Sequence, residues 1–262
     1  MSLRLFIVFS LVSRLAVAGS AAPGDRYLTY SGVATVRHTT DFLYGEHHVM
    51  LYRDGRLAER GVLYTCRDGS PFARKTVNYV DALAPDFSLE NVSDGMREGI
   101  RTIPVETGRR VFFRPTAHDP EKSGPLPHVP GLVADAGFDE FVQSHWDELL
   151  KGRPIEMRFL VPSRLDDYGF EVEHLRSESI KGTPTEVFRL KLSGIWGWFL
   201  PGIDVYYSAA EHVLVRYDGV SDLRDMDGNN FKATIEFSPQ DRKPATEQAM
   251  QELRQARLEP CR

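Results

Sequence analysis

The sequence is poor in the features that announce a function. Two cysteines, Cys66 and Cys261, are the whole thiol inventory of its 262 residues. That count rules out a Cys-x-x-Cys redox pair, a zinc ribbon and a disulfide-dense scaffold. Positive charge is not in excess either: 32 Lys and Arg face 37 Asp and Glu, a net charge of −5. Such a chain offers no electrostatic footprint for a nucleic-acid backbone, so no nucleic-acid partner is expected. No apolar run reaches the roughly 20 residues that a membrane-spanning helix needs. There is no Gly-x-Ser-x-Gly elbow, no His-Glu-x-x-His and no Gly-rich phosphate loop. No motif therefore places a catalytic nucleophile, and neither a cofactor nor a resident metal is expected.

What is present begins at the first residues. Arg4 precedes a mostly apolar stretch from Leu5 to Val12, and Ala16-Val17-Ala18 forms a small-residue cleavage site. A basic start, a short apolar core and a small-residue site read as a secretory signal peptide over residues 1–18, with the cut after Ala18 or after Ala21. Arg14 interrupts the apolar stretch. Removal of 1–18 leaves 30 basic against 37 acidic residues, a net charge of −7. A periplasmic or secreted location follows, and in such a compartment an even pair of cysteines can be oxidised. Bridging Cys66 to Cys261 would close a loop of 195 residues; a free, packed Cys66 is the alternative.

The body of the chain is written in short alternating segments punctuated by Asp-Gly. Segments 27–37, 46–53, 57–65 and 73–80 are separated by Asp54-Gly55 and Asp68-Gly69, which predicts a meander of antiparallel hairpins. Phe188, Leu190 and Leu192 alternate with Arg189 and Lys191, and Phe231, Ala233, Ile235 and Phe237 alternate with Lys232, Thr234 and Glu236. One face is dry and the other wet, the pattern of an antiparallel sheet. Segments 203–207 and 212–217 complete the set, with Asp218-Gly219 as the next turn. The prolines of 115–130 predict a loop. Residues 138–150 predict a helix, with Phe138, Phe141, Val142, His145 and Leu149 on one face. Residues 245–257 predict a second, peripheral helix with a thin stripe of Ala249, Leu253 and Ala256. The expected organisation is a signal peptide at 1–18, a β-rich domain over 22–244 and a C-terminal helix or tail over 245–262.

Several groups suggest chemistry. His47 and His48 are neighbours, but adjacent strand residues point to opposite faces, so one ion could take both only at a turn. His145 lies beside Trp146 and near Asp147, a place for a general base. The segment 222–230 is acidic, yet with Gly228 at the sixth loop position the first and twelfth fall on Leu223 and Thr234. That fails the calcium register, and a hairpin turn at Asp227-Gly228 explains it better. Asp166 and Asp167 read as a solvated turn. Asn91-Val-Ser93 matches a glycosylation acceptor pattern. The densest apolar patch, residues 195–203, contains Trp196, Trp198 and Phe199 and is apolar at both parities, as core packing, a ligand mouth or a contact surface requires.

The hairpin from Leu51 to Arg60, the run from Leu63 to Lys75 and the pair Val205-Tyr-Tyr with Leu214-Val-Arg-Tyr-Asp-Gly resemble uncharacterised exported bacterial proteins. The layout as a whole is similar to the half-barrel with which periplasmic lipoprotein carriers hold acyl chains. The resemblance is one of layout over most of the mature chain and transfers no functional residue. The expected fold is mainly β, an antiparallel, strongly curved sheet or open half-barrel with the 138–150 helix on its concave face. The expected function is binding or carriage of an apolar small molecule or lipid, with Trp146, Trp196, Trp198, Phe199, Phe141 and Phe188 as candidate ligand contacts. The alternatives are an envelope hydrolase using His145, His47 or His48 as base, and a structural partner in an envelope assembly.

Overall fold

The computed structural model describes residues 24–104, 108–193, 202–225 and 228–261. The signal-peptide segment and the patch residues Trp196, Trp198 and Phe199 lie outside them. Alternation of apolar and polar residues produces eight strands in the first half: β1 (Arg26–Val36), β2 (Phe42–Arg53), β3 (Arg56–Thr65), β4 (Pro71–Asn78), β5 (Asp86–Asn91), β6 (Arg97–Ile103), β7 (Gly108–Arg114) and β8 (Lys122–Pro125). A crossing segment follows with β9 (Leu132–Val133), α1 (Gly137–Ser144) and α2 (Trp146–Leu150). The second half supplies β10 (Ile155–Val161), β11 (Asp166–Ile180), β12 (Thr183–Leu192), β13 (Ile203–Ser208), β14 (Leu214–Arg224), β15 (Asn230–Phe237), β16 (Lys243–Ala245) and α3 (Glu247–Gln255).

All sixteen strands belong to one sheet, which runs from β8 through β1 to β15 and on to β9 without closing on itself. Every pairing is antiparallel except that of β9 with β10. The chain thus walks outward from β1 to one edge, crosses the interior, and walks back from the other edge. At the seam, β1 pairs along Gly32–Val36 with β15 and along Tyr27–Thr29 with β16. The sheet curls until its two ends meet through side chains: Leu132 and Leu160 from the β9–β10 end pack with Val77, Phe87, Ile100 and Val111 from β4 to β7. This is a mainly β, strongly curved, open half-barrel.

The concave face is lined by alternate residues of each strand and covered in part by the helices. Trp146, Phe141, Val142 and Leu149 pack on Val172, Phe188, Leu190, Val205 and Tyr207 of β11 to β13. The helix expected as one piece over 138–150 is broken at His145, which leaves helical geometry with φ −112°. Around that break the Ser144 hydroxyl donates to the Phe141 carbonyl oxygen at 2.9 Å, and His145 Nδ1 lies 2.9 Å from the same oxygen. Side-chain competition for backbone acceptors of this kind weakens a helix. On the convex face α3 is firmly seated: Met250 and Leu253 are buried against Val49 and Leu51. The Thr246 hydroxyl caps it by accepting from Ala249 N–H at 3.2 Å.

A disulfide joins Cys66 to Cys261, with Cα atoms 5.6 Å apart. It draws the tail after α3 along β4, where Glu259 N–H donates to the Pro71 carbonyl oxygen at 2.9 Å. Two polar sites differ from expectation. Asp167 is buried and ion-paired to Arg158 rather than solvated, because it follows the left-handed Leu165 into β11 and meets Arg158 on the partner strand. Asn91 is 1% exposed, its side-chain oxygen accepting from Ser93 N–H, so it is not accessible to a glycan. Among the described residues no helix is long and apolar enough to cross a membrane.

Candidate functional site

The concave face encloses a cavity of about 310 Å³. Its walls differ in kind. Strands of the second half contribute the apolar side: Phe159, Phe170, Leu190, Ile203, Val205 and Leu214. Strands β2 to β4, with α1 and the turn before it, contribute Glu46, His48, Arg60, Lys75, Asp135 and Asp139. These charged residues are on inward positions because they share the parity of buried apolar neighbours: Lys75 lies between Ala73 and Val77, and Arg60 precedes Val62 and Tyr64 by even steps. A strand that turns Ala73 and Val77 to the core must turn Lys75 there as well.

Each cation of this wall is matched by a partner from a distant part of the chain. The Lys75 ammonium donates to the Asp135 carboxylate and, at 2.7 Å, to Asp222 on β14. Burial works against that ammonium, but Asp135 and Asp222 outweigh it and hold its pKa well above the ordinary lysine value. Asp135 is set for this contact by a left-handed backbone, φ 45°, a conformation an aspartate tolerates better than most residues. Arg60 donates to Asp139 on α1 at 3.0 Å, and the Tyr207 hydroxyl donates to the other Asp139 oxygen at 2.8 Å. His48 Nε2 lies 2.8 Å from Glu46, and the imidazole stacks on Tyr30 with ring centres 4.4 Å apart. Burial lowers the His48 pKa despite the Glu46 contact. Behind Lys75 the Glu98 carboxyl is pushed up to about 8, first by burial and then by repulsion from Asp222.

Three buried side-chain atoms of this wall have no hydrogen-bond partner: His48 Nδ1, Arg60 Nε and Asp135 Oδ2. Unsatisfied polar atoms at such depth are uncommon in folded proteins. Of the lining residues, Val220 is 38% exposed and the Asp222 side chain 51%.

Three of the sequence-derived ligand contacts are among the described residues, and they fall beside the cavity. Phe141, Trp146 and Phe188 pack against one another, Trp146 and Phe188 with ring centres 5.0 Å apart. They form the layer beside the cavity rather than its lining, to which the helix contributes Phe138 instead. Trp196, Trp198 and Phe199 are outside the described residues. His47 and His48 do point to opposite faces: His47 meets Ser31 at 3.3 Å on the convex side while His48 lines the cavity. His145 packs on Phe141 and reaches no cavity wall. Among the described residues no cluster of three or more His, Cys, Asp or Glu is arranged to hold a metal ion. In the 222–230 segment Asp225 accepts from Asn229 N–H at 2.8 Å and Gly228 takes φ 80°, while Asp227 of the expected turn lies outside the described residues.

No family model matches the chain, and no curated protein matches it. Among solved structures it is similar to a beta-barrel-like protein of the domain of unknown function DUF1849 from Brucella abortus, with 7% identity, 85% of this chain and 98% of that one covered, and a TM-score of 0.38. It is also similar to a putative outer membrane lipoprotein-sorting protein domain from Vibrio parahaemolyticus, with 9% identity, 88% of this chain and 89% of that one covered, and a TM-score of 0.30. Likeness at that level assigns no function to the cavity.

Proposed function

We propose that this is an exported binding protein whose curled sheet holds a small amphiphilic molecule. The observation that carries the reading is the divided cavity: about 310 Å³ of space with an apolar wall on one side and buried charged groups on the other. That volume is at the lower end of the roughly 300–1,000 Å³ typical of small-molecule sites. The apolar wall supplies binding free energy at about 25 cal/mol per Å² removed from water, and the polar wall supplies orientation. Export is supported by the N-terminal sequence pattern and by the Cys66–Cys261 bridge, since structural disulfides belong to oxidising compartments.

The test is native mass spectrometry of the protein purified from its export compartment, with organic extraction of the same sample. A bound mass that is released by solvent is the expected result. The reading fails if the protein is empty and also shows no saturable binding of medium-chain alcohols, acids or amines.

A further inference from the structure

The cavity wall is not electrically balanced. Four carboxylates, Glu46, Asp135, Asp139 and Asp222, face two cations, Arg60 and Lys75. With His48 kept neutral by its burial, the wall carries a formal charge of −2. Arg60 is matched by Asp139 and Lys75 is shared between Asp135 and Asp222, so among the described residues Glu46 is paired only with the His48 ring.

The orphaned atoms have a direction as well. Glu46 as a carboxylate can only accept, so His48 Nε2 must carry the ring proton and Nδ1 presents a bare lone pair. His48 Nδ1 and Asp135 Oδ2 are therefore two buried acceptors without a donor. Their side chains are 8% and 6% exposed. The one orphaned donor of the wall, Arg60 Nε, belongs to a guanidinium whose charge Asp139 already matches. Tyr64, Tyr217 and Phe237 add aromatic surface to the same cavity, and ring faces attract cations; the faces of Tyr30 are already taken by His48 and the Arg242 guanidinium. An anionic head would be repelled at short range in a medium that screens poorly. A neutral head would leave the excess charge in place. A protonated primary amine brings one positive charge and three donors.

We infer, on the reading that the cavity binds a small amphiphile, that its ligand carries a primary ammonium group. The ammonium is held on the carboxylate side by Asp135, Asp222 and Glu46, and the apolar body lies along Phe159, Phe170 and Leu190.

Isothermal titration of the full mature protein at pH 7 with octylammonium, octanol and octanoate tests this. Octylammonium should bind at least tenfold more tightly than octanoate, with octanol between them. Asp222→Asn, at a half-exposed side chain, should weaken octylammonium several-fold more than it weakens octanol; Glu46→Gln serves as an independent second variant with the same expectation. Octanoate binding as tightly as octylammonium overturns the inference. So does an ammonium preference that neither variant reduces. If octanol binds and octylammonium binds no better, the charge assignment falls and the cavity reading stands; if none of the three binds, both fall.

Discussion

Lys75 Nζ lies 2.7 Å from Asp222 Oδ2 although the residues are 147 positions apart and four strands stand between β4 and β14 in the sheet. The ion pair spans the interior and, with Asp135, ties the first half, the crossing segment and the second half to one point. Removing one member of a buried pair leaves an uncompensated charge, which costs about 3–5 kcal/mol. Lys75→Met should therefore destabilise by about that amount in urea titration, and adding Asp135→Asn should recover a substantial part. Asp222→Asn alone should cost less than about 1 kcal/mol, because its carboxylate is half exposed.

Glu98 gives the fold a definite pH dependence. Its folded pKa of about 8 is above the ordinary value of 4.5, so the folded state binds its proton more tightly than the unfolded chain. The associated stability is complete below the ordinary pKa and is lost as pH rises through about 8. Glu98→Gln, which cannot ionise, should be more stable than the parent at pH 9 by about 2–4 kcal/mol and nearly equal to it at pH 4. Thermal melts at the two pH values read the difference directly; a constant difference would exclude Glu98 as its source.

The α3 helix approaches β3 as closely as it does because residue 61 has no side chain. A Cβ there would be 2.6 Å from Leu253 Cδ2 and 3.2 Å from Met250 Sδ. Gly61→Ala should cost about 1–2 kcal/mol by overpacking, and Leu253→Ala about 2–4 kcal/mol by leaving a cavity. The double variant should be less destabilised than the sum by at least about 0.5 kcal/mol, since the new methyl group occupies space that Leu253 vacates. Strict additivity would mean the helix shifts instead of staying docked.

Reduction of the Cys66–Cys261 bridge releases a constraint across 195 residues. The chain-entropy account puts an upper value of about 5 kcal/mol on such a loop. Cys66→Ser with Cys261→Ser should lower the melting temperature and make the Glu259 amide, bonded to Pro71, exchange well before the α3 amides. An unchanged exchange rate at Glu259 would show that the tail is held by Arg74, which donates to the Arg254 and Ala256 carbonyl oxygens, without help from the bridge.

Much of the sheet is legible in sequence because period-two alternation is a local signal. Phe188-Arg-Leu and Phe231-Lys-Ala declare their own faces, and Asp54-Gly55 and Asp68-Gly69 mark turns in the first half, whereas Asp218-Gly219, expected as a turn, lies inside β14 opposite Thr234 and Ala233. Strand β11 does not declare itself, since only Asp167 and Val172 of its fifteen residues are buried and polar residues occupy both faces. Helix α3 was legible as a helix but not as a buried one, because Met250 is off the stripe of Ala249, Leu253 and Ala256 and the partner surface belongs to β2. The charged wall was missed for a sharper reason. Sequence patterning assigns charge to the wet face, whereas Arg60 and Lys75 are inward-facing exceptions whose acidic partners come from remote elements. A usable signal was present: Lys75 shares parity with Ala73 and Val77, and Glu46 and His48 share it with Tyr44 and Met50.

The outward-and-back path of the sheet sets a schedule for folding. β1 is the first strand to be synthesised, yet its second edge is covered only by β15 and β16, and Thr35 meets Thr234 across 199 positions. Contacts of such separation are slow to form. In the interval the first eight strands can pair among themselves, but the outer edge of β1 remains an open template for strands of other molecules. The interior has no second wall until then, so the receptacle does not exist in any partly delivered chain. On the proposed reading, binding would follow the arrival of β15, and a ligand in the cavity would report that the sheet has formed through Phe237.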